Sequence, residues 1–136
     1  MSTNLVILAA GKGTRMKSDL PKVLHRVAGI PMLEHVIQTA QLLNPEKIHV
    51  VVGHGSELVE QALSHYPINW VQQKEQKGTG HAVLQVAPML EANSTALVMY
   101  GDVPLIEAQT LEDLIHKAEN APALLTAVLE DSHGYG

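Results

Sequence analysis

The chain contains no cysteine, which excludes disulfide scaffolds, thiolate-ligated zinc, iron–sulfur clusters and thiol nucleophiles together. A reducing, cytoplasmic setting is the matching expectation. Aromatic side chains are scarce at 3 %, limited to Tyr66, Trp70, Tyr100 and Tyr135, and none interleaves with a run of basic residues. Stacking platforms are therefore missing, and no nucleic acid partner is expected. No apolar run approaches the roughly 18 residues of a membrane-spanning helix, and Met1 to Asn4 lack a basic region leading into an apolar stretch. Neither membrane insertion nor secretion is predicted. Without a Gly-x-Ser-x-Gly sequence, a serine hydrolase would lack its nucleophile elbow. The histidines form no His-x-His or His-x-x-x-His pair, which removes the usual zinc spacings.

What remains is a chain of 136 residues, 46 % apolar and 17 % charged, a balance that supports a folded core and rules out disorder. One domain is the default at this length. Net charge is −5, but its distribution matters more, because exposed charges further apart than about 8 Å are largely screened. Lys12, Arg15, Lys17, Lys22 and Arg26 fall in one stretch with Asp19 as its single acid, whereas residues 91–136 hold eight acids and one base, Lys117.

The apolar run from Leu5 to Ala10, closed at once by Gly11, reads as a buried strand. Similar runs at Ile48–Val52, Trp70–Val71, Ala96–Tyr100 and Ala123–Leu129 predict four more. Between them, apolar residues recur at helical spacing. Met32, Leu33, Val36, Ile37, Ala40 and Leu43 share one face, opened by Pro31 and closed before Pro45. Leu58, Val59, Ala62 and Leu63 follow Ser56, a suitable N-cap. A third helix is expected from near Gly80 to Pro88, and Thr110 with Asp113 has the form of a capping box ahead of a fourth. Alternating strands and helices predict an α/β fold, Rossmann-like, with a mostly parallel sheet and helices on both faces. Ligands in such folds collect outside the carboxyl ends of the strands.

Three strand-following segments carry chemistry. Gly11-Lys12-Gly13-Thr14-Arg15-Met16, with Pro21-Lys22, offers two Cβ-free residues whose N–H groups can turn toward an anion, plus the charges of Arg15 and Lys22. This reads as a phosphate cradle, although neither the P-loop nor the dinucleotide spacing can be laid over it. The competing reading is a glycine-rich turn with solvated bases. Asp102, directly after the strand ending at Tyr100, suits a hard cation such as Mg²⁺, and equally suits a turn. Gln72, Gln73, Glu75 and Gln76 precede Gly78-Thr79-Gly80-His81. Amides that donate and accept together match a pyrimidine edge, and a polar loop with a threonine cap explains the segment about as well.

Taken together, Leu8-Ala9-Ala10-Gly11-Lys12-Gly13-Thr14-Arg15-Met16 and Pro21-Lys22 resemble the opening of the sugar-1-phosphate nucleotidyltransferases. Gln73-x-Glu75-Gln76-x-Gly78-Thr79-Gly80-His81-Ala82 and Tyr100-Gly101-Asp102-Val103-Pro104-Leu105 are similar to the bifunctional N-acetylglucosamine-1-phosphate uridyltransferase/glucosamine-1-phosphate acetyltransferase branch of that family. The resemblance implies the nucleotide-diphospho-sugar transferase fold, with UTP and N-acetylglucosamine 1-phosphate as substrates and UDP-N-acetylglucosamine as product. It implies contacts to these molecules from Leu8, Ala9, Ala10, Gly11, Lys22, Gln73, Gly78, Thr79, Tyr100, Gly101 and Asp102, with Gln73 and Gly78 near uracil. It further implies Arg15 facing the triphosphate, the backbone of Gly136 meeting the amino sugar, and Asp102 ligating Mg²⁺, so that Arg15, Lys22 and Asp102 form the catalytic set. Residues 1–136 would then be the N-terminal, nucleotide-binding part of a longer transferase domain. A second metal ligand, an asparagine, and a β-helix acetyltransferase domain would follow in a parent protein that is a homotrimer. On that expectation the 136 residues alone bind weakly and turn over little.

Overall fold

Alternation along the first strand sets the architecture. The computed structural model describes residues 2–11, 18–53, 55–131 and 133, and β1 spans Thr3–Ala9. Leu5, Ile7 and Ala9 join one core cluster, while Val6 and Ala10 join another on the opposite side, as the period-two geometry of a strand requires. Both sides of β1 are buried, so its sequence is a continuous apolar run rather than an alternating one.

Three further strands join it in one parallel sheet. β4 (Lys47–Val52) and β6 (Thr95–Tyr100) flank β1, with Leu5 opposite Ile48 on one side and Leu97 on the other. β5 (Asn69–Gln72) lies outside β4, giving the order β5-β4-β1-β6. A two-residue ribbon, β2 (Arg26–Val27) with β3 (Ile30–Pro31), stands apart from this sheet. Its turn residues Ala28 and Gly29 both have positive φ, 50° and 86°, the requirement of a tight hairpin whose twist matches its strands.

Helix α1 (Met32–Leu42) buries Leu33, Val36, Ile37 and Ala40 against the first face. Full burial of one such aliphatic side chain is worth about 1.5–3 kcal/mol. Pro31 stands at its N-cap position, and Asn44, at φ 47°, ends it in the left-handed conformation just before Pro45. Val59 and Leu63 from the region of α2 (Glu57–Ala62), and Leu111 of α4 (Ala108–Lys117), pack on the same side. Ala82 and Val86 of α3 (Thr79–Val86) cover the other. The expected α/β sandwich with helices on both faces is what the chain forms. Among the described residues no helix is long and apolar enough to cross a membrane.

Three local expectations fail for identifiable reasons. Ser56 occupies the N-cap position of α2, yet its side chain makes no capping bond; its Oγ accepts from Gln72 Nε2 at 2.7 Å instead. Thr110 does not open a capping box, because α4 begins earlier at Ala108 and Asp113 Oδ1 accepts from Gln109 Nε2 at 3.1 Å. Ala123–Leu129 is not a strand. Its apolar residues Leu124 and Val128 face solvent, and an apolar run without a partner edge gains neither a hydrogen-bond ladder nor burial.

Candidate functional site

All four strands run in parallel, so their carboxyl ends share one edge of the sheet. The chain moves outward from β1 through β4 to β5, then returns to place β6 on the other side of β1. The order reverses between β1 and β6, and the crevice outside that reversal is where open α/β sheets place their ligands. A cavity of about 360 Å³ lies there, lined by Leu8, Ala9, Ala10, Gly11, Lys22, Val23, Gln73, Gln76, Gly78, Thr79, Ala82, Tyr100 and Asp102. A larger hollow of about 680 Å³ runs along β6, α4 and residues 122–125, but its walls are chiefly aliphatic. It brings no set of charged groups together, so the smaller one is the candidate site.

The floor is built by β1 and β6. Gly101 N donates to Leu8 O at 2.9 Å, carrying the pairing one residue beyond β6. A Cβ at Gly101 would stand 3.2 Å from Leu8 O and from Leu33 Cδ1, so glycine lets the two strand ends close up. Asp102 follows and turns its carboxylate into the cavity, where Oδ2 accepts from Lys22 Nζ at 2.8 Å. Lys22 is held from behind. Pro21 leads into a single 3₁₀ turn, Lys22–Leu24, whose Val23 and Leu24 are buried while Lys22 stays free to reach across. Both charged side chains remain partly open to solvent, at 40 % and 35 %.

The opposite wall is made of amides and glycine. Gln73 N donates to Val52 O at 2.8 Å, extending the β4–β5 pairing, and the Gln73 side chain is buried with Nε2 donating to Gly78 O at 3.3 Å. Gly78 has φ 100° and ψ 179°, a region essentially confined to glycine. It occupies the N-cap position of α3 with Thr79 as the first helical residue, so the threonine is not the cap that the sequence allowed. Gln76 Nε2 donates to Ala10 O, tying this loop to the end of β1. Gly53 is the counterpart of that tie, since a Cβ there would meet Gln76 Nε2 at 2.6 Å and Ala10 O at 2.8 Å.

Of the residues singled out from sequence, Leu8, Ala9, Ala10, Gly11, Lys22, Gln73, Gly78, Thr79, Tyr100 and Asp102 line this one cavity, and Gly101 is buried beside it. Arg15 and Gly136 lie outside the described residues, as do Lys12, Gly13 and His54. Arg26, grouped with the bases by sequence, turns away to donate to Gly29 O at 2.9 Å inside the hairpin. Sequence reading did not single out Val23 or the tie between Gln76 and Ala10. The first is hidden because an apolar residue beside a cavity-lining lysine has no signature, and the second because it links positions 66 apart. Among the described residues, no three His, Asp or Glu side chains gather in a metal cluster.

Comparison with known proteins gives one consistent picture. The family model for the MobA-like NTP transferase domain matches residues 5–135. The chain is 58 % identical over its whole length to the bifunctional protein GlmU of Pseudomonas putida (strain GB-1). It spans about 30 % of the length of that curated relative. Among solved structures, Rv0371c from Mycobacterium tuberculosis H37Rv superposes with a TM-score of 0.76 at 20 % identity, covering 87 % of this chain and 61 % of that one. The same protein in complex with manganese gives 0.73 at 19 % identity, over 87 % and 60 % of the two chains. A nucleotidyl transferase from Methanothermobacter thermautotroptrophicus gives 0.75 at 22 % identity, over 85 % and 57 %. At these identities the structural likeness speaks for the fold, a mostly parallel α/β sheet, and the geometry of the crevice carries the rest.

Proposed function

We propose, from the premise that the chain belongs to the MobA-like NTP transferase domain family, that its parent protein transfers UMP from UTP to N-acetylglucosamine 1-phosphate and releases pyrophosphate. The observation that carries this reading is the meeting of Lys22 and Asp102 on the floor of a cavity whose far wall is Gln73, Gly78 and Thr79. One end offers charge for phosphates, and the other offers hydrogen bonds for a base. The identity to a bifunctional GlmU protein supports the choice of uridyl transfer among nucleotidyl transfers. Acetylation of glucosamine 1-phosphate, assembly as a homotrimer and residence in the cytoplasm belong to the same proposal, and the word bifunctional in the name of that relative supports a second activity. So does the domain assignment, with residues 1–136 as the nucleotide-binding part of a longer transferase domain.

The attacking group is an oxygen of the sugar 1-phosphate, which forms a bond to the α-phosphorus of UTP as the bond to the bridging oxygen of pyrophosphate breaks. With a second pKa near 6, a phosphate monoester is already largely ionised at neutral pH. No general base is needed, and the cavity's work reduces to positioning and charge stabilisation. Lys22 would neutralise the crowding of the attacking and α-phosphates. Arg15 would take the charge of the leaving pyrophosphate, and Gly136 the amino sugar.

Asp102 is the residue that would hold a divalent cation. Its carboxylate is a hard oxygen donor turned into the cavity and partly open to solvent, and one carboxylate completed by substrate phosphates is a usual Mg²⁺ environment. Such a cation, when bound, offsets negative charge on the phosphate oxygens. Mg²⁺ is the proposed ion, and the manganese complex of Rv0371c supports divalent metal binding by this fold.

The test is pyrophosphate release from UTP and N-acetylglucosamine 1-phosphate, run beside CTP, dTTP and other sugar 1-phosphates. Fastest release with UTP and the N-acetylated sugar is the expected result. A faster alternative substrate would reassign the specificity, and nucleotide-sugar binding without turnover or metal requirement would make the parent a non-catalytic binding protein.

A further inference from the structure

His81 stands behind the amide wall of the cavity, not on it, and its ring touches two glutamines. Gln73 Nε2 lies 2.9 Å from His81 Nδ1, and Gln85 Nε2 lies 3.3 Å from His81 Nε2 while also donating to His81 O at 3.1 Å. A neutral imidazole accepts at one nitrogen and donates from the other, so it cannot satisfy an N–H donor on both.

The two amides are not equally free to turn over. Gln73 is buried, and its Nε2 already faces a second acceptor, Gly78 O at 3.3 Å. Reversing that amide would set Oε1 against the carbonyl of Gly78, acceptor against acceptor. Gln85 is only half-buried on α3 and can present its oxygen to His81 Nε2–H at the loss of one bond to a helical carbonyl. The arrangement that satisfies the buried amide therefore has His81 neutral, with Nδ1 accepting and Nε2 protonated. Among the described residues, the side-chain hydrogen bonds of Gln73 are then made by Nε2 alone, leaving Oε1 as its one group for a ligand.

We propose that His81 is a positioning residue that selects the base: by accepting at Nδ1 it locks the Gln73 amide with Oε1 toward the ligand, favouring uracil over cytosine. This rests on the reading of the cavity as a uridine nucleotide site. Uracil presents N3–H, a donor that Oε1 accepts. Cytosine presents an unprotonated N3, which would face Oε1 lone pair to lone pair and would need the amide reversed. Mismatched pairing of a buried polar group is the kind of contact that discriminates strongly.

The experiment measures UTP and CTP dissociation constants by calorimetry on the full chain and on His81→Ala and His81→Asp, with thermal melting as the check on folding. The unmodified protein should bind UTP at least about tenfold tighter than CTP. In His81→Ala the Gln73 amide is released and the ratio falls by about tenfold, chiefly through weaker UTP binding. In His81→Asp, whose carboxylate only accepts, the preference for UTP is retained. Equal weakening of both nucleotides in a folded His81→Ala, or loss of the preference in a folded His81→Asp, overturns the proposal and leaves the nucleotide site standing. Absence of any UTP preference in the unmodified chain overturns the uridine reading and this proposal with it.

Discussion

Lys22 Nζ donates to Asp102 Oδ2 at 2.8 Å across 80 positions of sequence, joining the loop after β1 to the loop after β6. With both side chains more than a third exposed, the pair adds little to stability, in the range of about 0–1 kcal/mol usual for such contacts. Its value is electrostatic. A cation and a carboxylate held together at the crevice keep each other in place.

Lys22→Ala should therefore leave the melting temperature nearly unchanged while lowering pyrophosphate release by at least about a hundredfold. Two unit charges 4 Å apart are worth about 4 kcal/mol at an effective dielectric near 20, far above the contribution of the pair to folding. Near-normal release from a folded Lys22→Ala protein would remove Lys22 from the catalytic set. Asp102→Asn should differ in kind. It should lower Mn²⁺ binding, read by electron paramagnetic resonance, whereas Lys22→Ala should not, because the lysine competes for the same carboxylate oxygen.

Gly53→Ala tests the tie that shapes the back of the cavity. The added methyl would stand 2.6 Å from Gln76 Nε2 and 2.8 Å from Ala10 O, closer than real contacts come, so the loop or the end of β1 must move. Overpacking of this kind costs about 1–3 kcal/mol, and the KM for UTP should rise. Adding Gln76→Ala should recover only part of the lost stability, because Ala10 O is backbone and remains. Full recovery on melting would show that the amide alone defines the clash.

The buried strands were legible because the physics there is local. Leu5 to Ala10 is apolar at every position since both faces of β1 are covered, and Gly11 marks where the covering stops. The site residues were legible for a related reason: parallel strands bring their carboxyl ends to one edge, so Gly11, Gln73 and Asp102 can be placed together before any distance is known. Partner choice was not legible. Ser56 has the chemistry of a cap but bonds to Gln72, and Lys22 reads as a phosphate ligand without hinting that Asp102 holds it. Ala123–Leu129 carries a strand's composition and fails because a strand also needs an edge to pair with, which composition does not reveal.

His49 gives the fold a pH dependence separate from that of the site. It is buried on β4, with Nδ1 accepting from Asn69 Nδ2 at 2.9 Å and Nε2 without a hydrogen-bond partner among the described residues. Burial, with the charge of Lys47 adding to it, lowers its pKa below the ordinary 6.5. The unfolded chain then binds this proton more readily than the folded one, so stability rises with pH between the folded and unfolded values. Its contribution is complete above about 6.5 and is lost as the pH falls through that value toward the lowered one. Denaturant unfolding followed from pH 8 to pH 5 should show the decline, and His49→Gln, which cannot take up a proton there, should flatten it even if its stability at pH 8 is lower. An unchanged slope in that variant would assign the acid sensitivity to other groups.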